Sequence, residues 1–408
     1  MDAHPTSRAA MDLEALKASA CAEVDRWADR LVGVARQIHA QPELAYEERF
    51  AHDLLTGLLE EAGLAPERSA LGFETAFRAA AGSSGPTVAV LCEYDALPGI
   101  GHACGHNVIA AAGLGAALAT APLARGGLGR VVVLGTPAEE GGGGKIELAR
   151  RGAFDGIDAA MMVHPADADL SNMDCVAIQQ LEVTFSGEAA HAAAAPHRGR
   201  NALDAAVLGY LNVAALRQHI RPTERIHGIF TRAGDKPNIV PDHAAALWYV
   251  RSDTIETLQP LKQRVLACLE AGAAAAGCSC EHAWDNHPYA DMRDNGPIGA
   301  AYAANAARLG RVVTAPDQAH RVVGSTDMGN VSYLAPSIHP MIKVAPEGVP
   351  IHTPEFARYA GREEADRAVL DGAKAMAMTV VDLWADAAVF AAARAEFERA
   401  TAGAPSPL

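Results

Sequence analysis

The sequence predicts an α/β protein in which a main domain, a mostly parallel sheet flanked by helices, is interrupted by a smaller inserted α+β domain. Three observations predict it. Short Val- and Ala-rich apolar runs at 88–92, 129–135 and 159–163 are each bounded by turn formers and separated by stretches of helical character, the texture of strands buried on both faces. From about residue 177 the texture changes to alternating strands, in the order strand, helix, strand, strand, helix, strand. At 408 residues, rich in Ala and Gly with 5% aromatics, the chain is long for a single core and suits helices packed closely on a sheet. The expected division is 1–176 and 295–408 for the main domain and 177–294 for the insertion.

Residues 12–40 carry apolar side chains at helical spacing (Leu13, Leu16, Ala20, Val24, Trp27, Leu31, Val34, Ile38) and stop before Pro42; a second helix is expected over about 46–62. Residues 73–80 and 87–92 read as adjacent strands joined by the turn formers 82–86. A loop forced by residues 98–101 leads into an Ala/Leu/Gly helix over 108–118. The run 129–135 reads as a buried strand ending in Thr136, Pro137, Ala138, Glu139 and Glu140, then four glycines and Lys145. Residues 159–163 form a third buried strand, followed directly by His164. In the insertion, residues 179–185 alternate with Leu181, Val183 and Phe185 on one side. Helices over 201–216 and 258–275 and strands over 228–232, 244–251 and 279–284 complete a ferredoxin-like pattern. The segment 362–401 is mostly helical with one apolar face, expected to pack on the main sheet.

Composition excludes several classes of function. A formal net charge of −15 argues against nucleic acid or an anionic membrane, both of which need a basic surface. The longest apolar run, 108–122, reads as too short to span a bilayer. The first residues carry acids and lack an apolar segment, so they do not form a secretory signal. Seven cysteines, an odd number, suit free thiols in a reducing cytoplasm.

Chemistry concentrates at the ends of the three buried strands. His102, Cys104 and His106 fall in the loop between a core strand and the helix that follows, where ligands of α/β proteins bind. Thiolate and imidazole are the donors that suit zinc and related ions, and the alternative is a buried Cys beside two surface histidines. No CxxC occurs, so a closed structural zinc ribbon is not expected. The glycine run beside Lys145 is not a phosphate loop, because Glu139 and Ile146 stand where a glycine and a hydroxyl residue are required. Those glycines instead let the backbone bend so that Glu139 and Glu140 face one cavity, which neighbours on a straight strand cannot do. His164 is the third strand end in succession to offer a metal-binding or acid-base group; its alternative is a core-edge histidine.

The motifs GHACGHN, Pro-Ala-Glu-Glu-Gly from Pro137, His164, HAAAAPHRGRNALDA from His191, PNIVPD from Pro237, GSTDMGNVS from Gly324 and IHTPEF from Ile351 together resemble a known family. It is the dinuclear zinc metallopeptidase family of aminoacylases, glutamate-releasing carboxypeptidases and auxin-conjugate amidohydrolases. Within it the p-aminobenzoyl-glutamate hydrolase and aminoacyl-dipeptidase branch is nearest. The resemblance runs from about residue 38 to the C-terminal helix. It implies that Cys104, His106, Glu140, His164 and His352 bind metal, that Glu139 is the general base, and that Asp95 orients a ligand imidazole. It further implies that His191 reaches across a dimer to a partner's site and that Asn238 and Arg251 meet the substrate. His191 could instead be a turn residue, and Arg198 or Arg200 could replace Arg251. Where many members carry a ligand histidine two residues before the aspartate, this chain has Glu93, either a charge at a strand end or an altered metal subsite.

The resemblance thus implies a homodimeric hydrolase acting on a small N-acyl amino acid or dipeptide. One or two divalent ions, zinc or manganese first and cobalt or nickel next, would activate a water for attack on the amide. Two other readings are a hydrolytic aminohydrolase acting on a small aromatic amine acid and a non-catalytic metal-binding module. The second carboxylate beside Glu140 speaks against the module, which has no use for a base.

Overall fold

In the computed structural model, which describes residues 13–316 and 323–408, the Val-rich runs become the centre of a six-stranded sheet. The acid-bearing start of the chain, residues 1–12, lies outside the described residues. The chain begins with α1 (Leu13–Arg26), α2 (Ala28–Ala40), α3 (Arg49–Glu61), β1 (Glu67–Arg68), β2 (Phe77–Ala81), β3 (Thr87–Cys92) and α4 (His106–Arg125). It continues through β4 (Arg130–Gly135), α5 (Gly144–Arg150), β5 (Ala159–Met161), β6 (His164–Ala166) and β7 (Asp174–Cys175). The insertion supplies β8 (Ala177–Ser186), α6 (Ala202–Leu216), β9 (Arg225–Ala233), β10 (His243–Ser252), α7 (Ile255–Ala276) and β11 (Ser279–Trp284). The return supplies α8 (Gly296–Arg308), β12 (Val323–Gly324), α9 (Met328–Val331), β13 (Ser337–Ile338), β14 (Met341–Lys343), α10 (Pro354–Tyr359), α11 (Glu363–Ala385) and α12 (Ala387–Thr401). These elements form two compact units. One holds the chain up to Asp174 with Met292–Val323 and Asn330–Gly403; the other holds Cys175–Asp291 with Gly324–Gly329 and Ala404–Leu408.

In the first unit the strand order is β1-β2-β4-β3-β5-β13. β4, β3, β5 and β13 run parallel, and β1 and β2 are antiparallel at one edge. The expectation that 73–80 and 87–92 are neighbours is therefore corrected: β4 lies between β2 and β3. The loop at 82–86 crosses the start of β4 instead of closing a hairpin. A side chain at Gly82, whose φ is +85°, would lie 2.2 Å from the Gly129 carbonyl oxygen. In the parallel register Cys92 pairs with Gly135 and Val90 with Met161, so the carboxyl ends of β3, β4 and β5 open on the same edge.

Helix α4 lies on β3 and β4. It is 20 residues long and apolar enough to cross a membrane, but most of it is buried inside the unit. The expectation that its apolar run is too short to span a bilayer is thus corrected; packing, not length, gives the segment its place. Two glycines make the fit. A Cβ at Gly113 would sit 2.5 Å from the Leu91 carbonyl, and one at Gly115 would sit 2.8 Å from Ala373 on α11. The expectation that the C-terminal helix packs on the main sheet is corrected: it packs chiefly on α4, with α1 and α8 beside it. It ends at Ala385, and a 95° bend leads into α12, whose first amides are capped by Asp386.

Two further boundaries differ from the sequence pattern. The first long helix breaks at Trp27 (φ −96°, ψ 2°), and each half buries its own stripe, Leu16, Ala20 and Val24 before the break and Leu31, Val34 and Ile38 after it. Helix α3 starts at Arg49 and not at Tyr46, because Tyr46 takes a left-handed conformation (φ +63°).

The second unit is the ferredoxin-like pattern in space, an antiparallel sheet in the order β11-β8-β10-β9 with α6 and α7 packed on it. Strand β8 alternates, burying Leu181, Val183 and Phe185. The helices approach backbone to backbone at Gly209 and Gly272, where a Cβ on Gly272 would meet the Gly209 nitrogen at 2.4 Å.

Gly113→Ala is expected to cost about 1–3 kcal/mol by overpacking α4 against the backbone of β3. Urea unfolding checks it; an unchanged midpoint would mean that α4 can slide away from β3.

Candidate metal centre

The residues gather where three parallel strands end. Glu93 and Asp95 follow β3, Glu139 and Glu140 follow β4, and His164 opens β6 just beyond β5. Cys104 and His106 arrive on the loop into α4, drawn close by Gly105, whose φ is +81° and where a Cβ would come within 2.8 Å of the Pro165 ring. His352 comes from the far end of the chain, in a left-handed conformation (φ +63°), and its amide donates to the Ala103 carbonyl at 2.8 Å.

Asp95 organises the cluster. Its Oδ1 accepts from His106 Nδ1 at 2.9 Å, and its Oδ2 accepts from the Glu140 amide at 2.9 Å. With Nδ1 engaged, His106 presents Nε2 inward, 3.5 Å from Glu93 Oε2, 3.8 Å from Glu140 Oε1 and 3.9 Å from Glu139 Oε2. Cys104 Sγ lies 3.3 Å from His164 Nε2, and His352 Nε2 lies 3.5 Å from Glu140 Oε1. His164 Nδ1 is turned to the Pro165 carbonyl at 2.8 Å, which leaves its other nitrogen facing the thiol.

Burial and charge pull these groups apart in pKa. Burial, reinforced by Glu140, drives the Cys104 thiol well above its ordinary value. Burial also raises Glu140 and Asp95, but hydrogen bonds and nearby imidazoles outweigh it. His352 and His106 hold Glu140 below the usual carboxylate value, and His106 does the same for Asp95. Burial opposes charge on His106 too, yet Cys104 and Asp95 carry it well above its ordinary value. His164 is pushed down to about 4, mainly by burial. Such divergence among neighbouring groups marks the cluster as a candidate functional site.

The donor set fits a divalent cation. Cys104, His106 and His164 have ligand atoms within 4.8 Å of one another, as do Cys104, Glu140 and His352. The two groups share Cys104. Among the described residues, the buried His106 Nε2 and Glu140 Oε1 have no well-formed hydrogen bond, the His352 ring standing off from Glu140 at 3.5 Å, and buried polar atoms of that kind need a partner. Sulfur, imidazole and carboxylate together suit a divalent metal ion.

Three neighbours escaped the sequence reading. Glu93 is no strand-end surface charge: it is fully buried and ion-paired with Lys145, itself fully buried at the start of α5. Breaking such a pair typically costs about 3–5 kcal/mol, and its only sequence trace was the Gly-Lys dipeptide set aside with the phosphate loop. His339, after β13, is buried with its ring 5.3 Å from that of His164 and neither nitrogen hydrogen-bonded. Burial, and then the neighbouring His164 imidazole, hold its pKa well below the ordinary value. Glu48 is fully buried and accepts from the Ala138 amide at 2.9 Å; burial, with Asp95 nearby, pushes its carboxyl up to about 7. His102, expected in the same loop, is buried beside His39 and belongs to none of the clusters; burial pushes it down to about 3.

The remaining residues singled out from the sequence belong to the second unit. His191 is exposed and accepts from the amides of Ala193 and Ala194. Its loop is tied to Asn238 by the Ala192 amide, 3.0 Å from the Asn238 carbonyl. Arg251 donates to Ser325 Oγ at 3.1 Å, whereas Arg198 and Arg200 lie on the exposed loop before α6.

Comparison with known proteins gives the family and the fold. Residues 89–382 match the family described as peptidase family M20/M25/M40. An Xaa-Arg dipeptidase of Mus musculus is 41% identical over 97% of this chain and 95% of its own length. One of the p-aminobenzoyl-glutamate hydrolase polypeptides of Escherichia coli K12 is 29% identical over 93% of this chain and 94% of its own. Among solved structures, a dinuclear metal binding peptidase of the M20 family from Bacillus subtilis superposes with a TM-score of 0.68 at 21% identity, covering 88% of this chain and 99% of that one.

Asp95→Asn leaves the shape but removes the negative charge and puts an NH2 donor in place of one of the two oxygens that accept from the His106 ring and the Glu140 amide. Metal affinity should fall about 10–100-fold, measured by competition with a chromogenic chelator; unchanged affinity would show that the Asp95 charge is not what holds the His106 ring.

Proposed function

We propose that this chain, which belongs to peptidase family M20/M25/M40, is a metal-dependent amidohydrolase that cleaves N-acyl or N-aminoacyl amino acids. The observation that carries this reading is the sharing of Cys104 by two three-residue groups beside Glu139. Cys104, His106 and His164 would hold one divalent ion, and Cys104, Glu140 and His352 a second where two bind. Zinc suits the donors best, with manganese, cobalt and nickel as the ions to compare. When bound, the ion supplies Lewis acidity, lowering the pKa of water toward about 7 and offsetting charge on a carbonyl oxygen.

The protein's own part is proton transfer and orientation. Glu139 takes the proton of the attacking water on its carboxylate and returns it to the departing amide nitrogen. Asp95 fixes both the His106 ring and the Glu140 backbone, so the imidazole and carboxylate keep their places as charge moves. Arg251 would pair with the substrate's carboxylate, and His191 with Asn238 would meet the tetrahedral oxyanion from a partner subunit.

A homodimer through the second unit is supported by its exposed apolar surface. Leu211 on α6 and Ile229 and Phe230 on the edge strand β9 are 56%, 66% and 40% exposed, and Tyr210 joins them, its ring 6.0 Å from Phe230. Open strand edges with apolar side chains invite pairing. A dipeptide is the first substrate class to test, because the relative alike over nearly the whole chain is named an Xaa-Arg dipeptidase. Seven free thiols support a cytoplasmic setting.

With a panel of dipeptides, p-aminobenzoyl-glutamate and acetyl amino acids, Glu139→Gln should lower kcat about 10²–10⁴-fold at unchanged metal content. Release of ammonia in place of an amino acid would move the reading to an aminohydrolase. Leu211→Glu with Ile229→Glu should give a monomer by light scattering; a persistent dimer would place the interface elsewhere.

A further inference from the structure

The turn that carries Glu139 and Glu140 holds an unusual backbone. Ala138 has φ +59° and Gly143 φ +58°, the first a conformation that a residue with a Cβ avoids unless its surroundings impose it. The turn is closed internally by the Gly142 and Gly144 amides, both donating to the Ala138 carbonyl at 3.1 and 3.3 Å. It leaves no room for side chains at two of its glycines. A Cβ on Gly144 would lie 1.7 Å from the Pro137 carbonyl, and one on Gly142 would lie 2.5 Å from the Tyr46 ring.

What imposes this conformation comes from the segment before α3. Glu48, buried, accepts from the Ala138 amide at 2.9 Å, and the Tyr46 hydroxyl donates to the Gly142 carbonyl at 2.7 Å. Tyr46 is itself left-handed at φ +63°, so the bracing segment is also held in a selected shape. On the other side the Glu140 amide is held by Asp95 at 2.9 Å. The amides of the two residues that flank Glu139, Ala138 and Glu140, are thus held by two different buried carboxylates, and only one of these touches a proposed metal ligand's ring.

We propose that Tyr46 and Glu48 are positioning residues that lock the turn from outside and so aim the Glu139 carboxylate. This rests on Glu139 being the base, but the lock itself can be read without any chemistry. Neither residue belongs to the groups of donor atoms, so losing them should leave metal binding intact while the base swings out of line. A misplacement of about 1 Å in a catalytic group can cost on the order of 10²-fold in rate.

The test compares Glu48→Ala, Glu48→Gln and Tyr46→Phe with the unaltered, metal-loaded protein. Four readouts are followed: kcat, KM, bound metal, and hydrogen exchange of the peptide spanning residues 136–146. Glu48→Ala should lower kcat on the order of 10²-fold, keep KM and metal content, and speed exchange in that peptide. Glu48→Gln should recover most of the loss, because the amide oxygen still accepts from Ala138. Tyr46→Phe, at a partly exposed position that does not endanger folding, should show a smaller change in the same direction. The proposal is overturned if kcat and exchange stay at the unaltered level in Glu48→Ala, or if metal and kcat fall together and Glu48→Gln fails to rescue. If Glu139→Gln retains hydrolysis while Glu48→Ala still loosens the turn, the assignment of the base fails and the lock stands.

Discussion

The carboxylate of Asp95 is the constraint on which the centre depends. It is buried, and a buried carboxylate is tolerated only with strong donors around it. Its two oxygens take them from two places, the ring of His106 at the start of α4 and the amide of Glu140 after β4. One side chain therefore fixes the spacing between a strand end, a helix start and the turn that carries Glu139 and Glu140. Moving any of the three would leave the carboxylate, the imidazole or the amide without its partner.

That arrangement needs a scaffold in which helix and strand cannot drift, and close packing supplies it. Gly113 brings α4 onto the backbone of β3, and Gly115 brings α11 onto α4. The first residue of α4 is His106, so the register of the helix against the sheet also sets the height of its inward-facing Nε2. Packing of this density resists small shifts. The Ala- and Gly-rich composition thus bears on the site, and not only on the core.

The sequence made much of this legible because strong local signals agreed with the fold. Valine runs bounded by turns marked β3, β4 and β5, and their parallel pairing brought Cys104, Glu140 and His164 to one edge. The alternation of Leu181, Val183 and Phe185 marked the inserted sheet. Order along the chain did not reveal that β4 lies between β2 and β3, since a glycine turn reads the same whether it closes a hairpin or crosses a strand. Nor did it reveal Lys145, His339 or Glu48, whose roles arise only from burial beside residues far away in the chain. A lone lysine, histidine or glutamate has no periodicity to give it away. Glu48 was hidden further by lying within the expected start of a helix that in fact begins at Arg49.

Charge explains why those hidden residues stand where they do. Glu93, Asp95, Glu139 and Glu140 crowd a small buried volume, and the buried ammonium of Lys145 is bound there to Glu93. His164 and His339 are held neutral by burial and offset nothing. A cluster of acids and a thiol so arranged is stabilised by added positive charge, and a divalent ion that binds only the folded chain adds its binding free energy to stability. Lys145 sets Glu93 apart from Glu140: Glu93 is already paired with a cation of the chain itself, whereas Glu140 lies with Cys104 and His352 in a group that could hold an ion from outside.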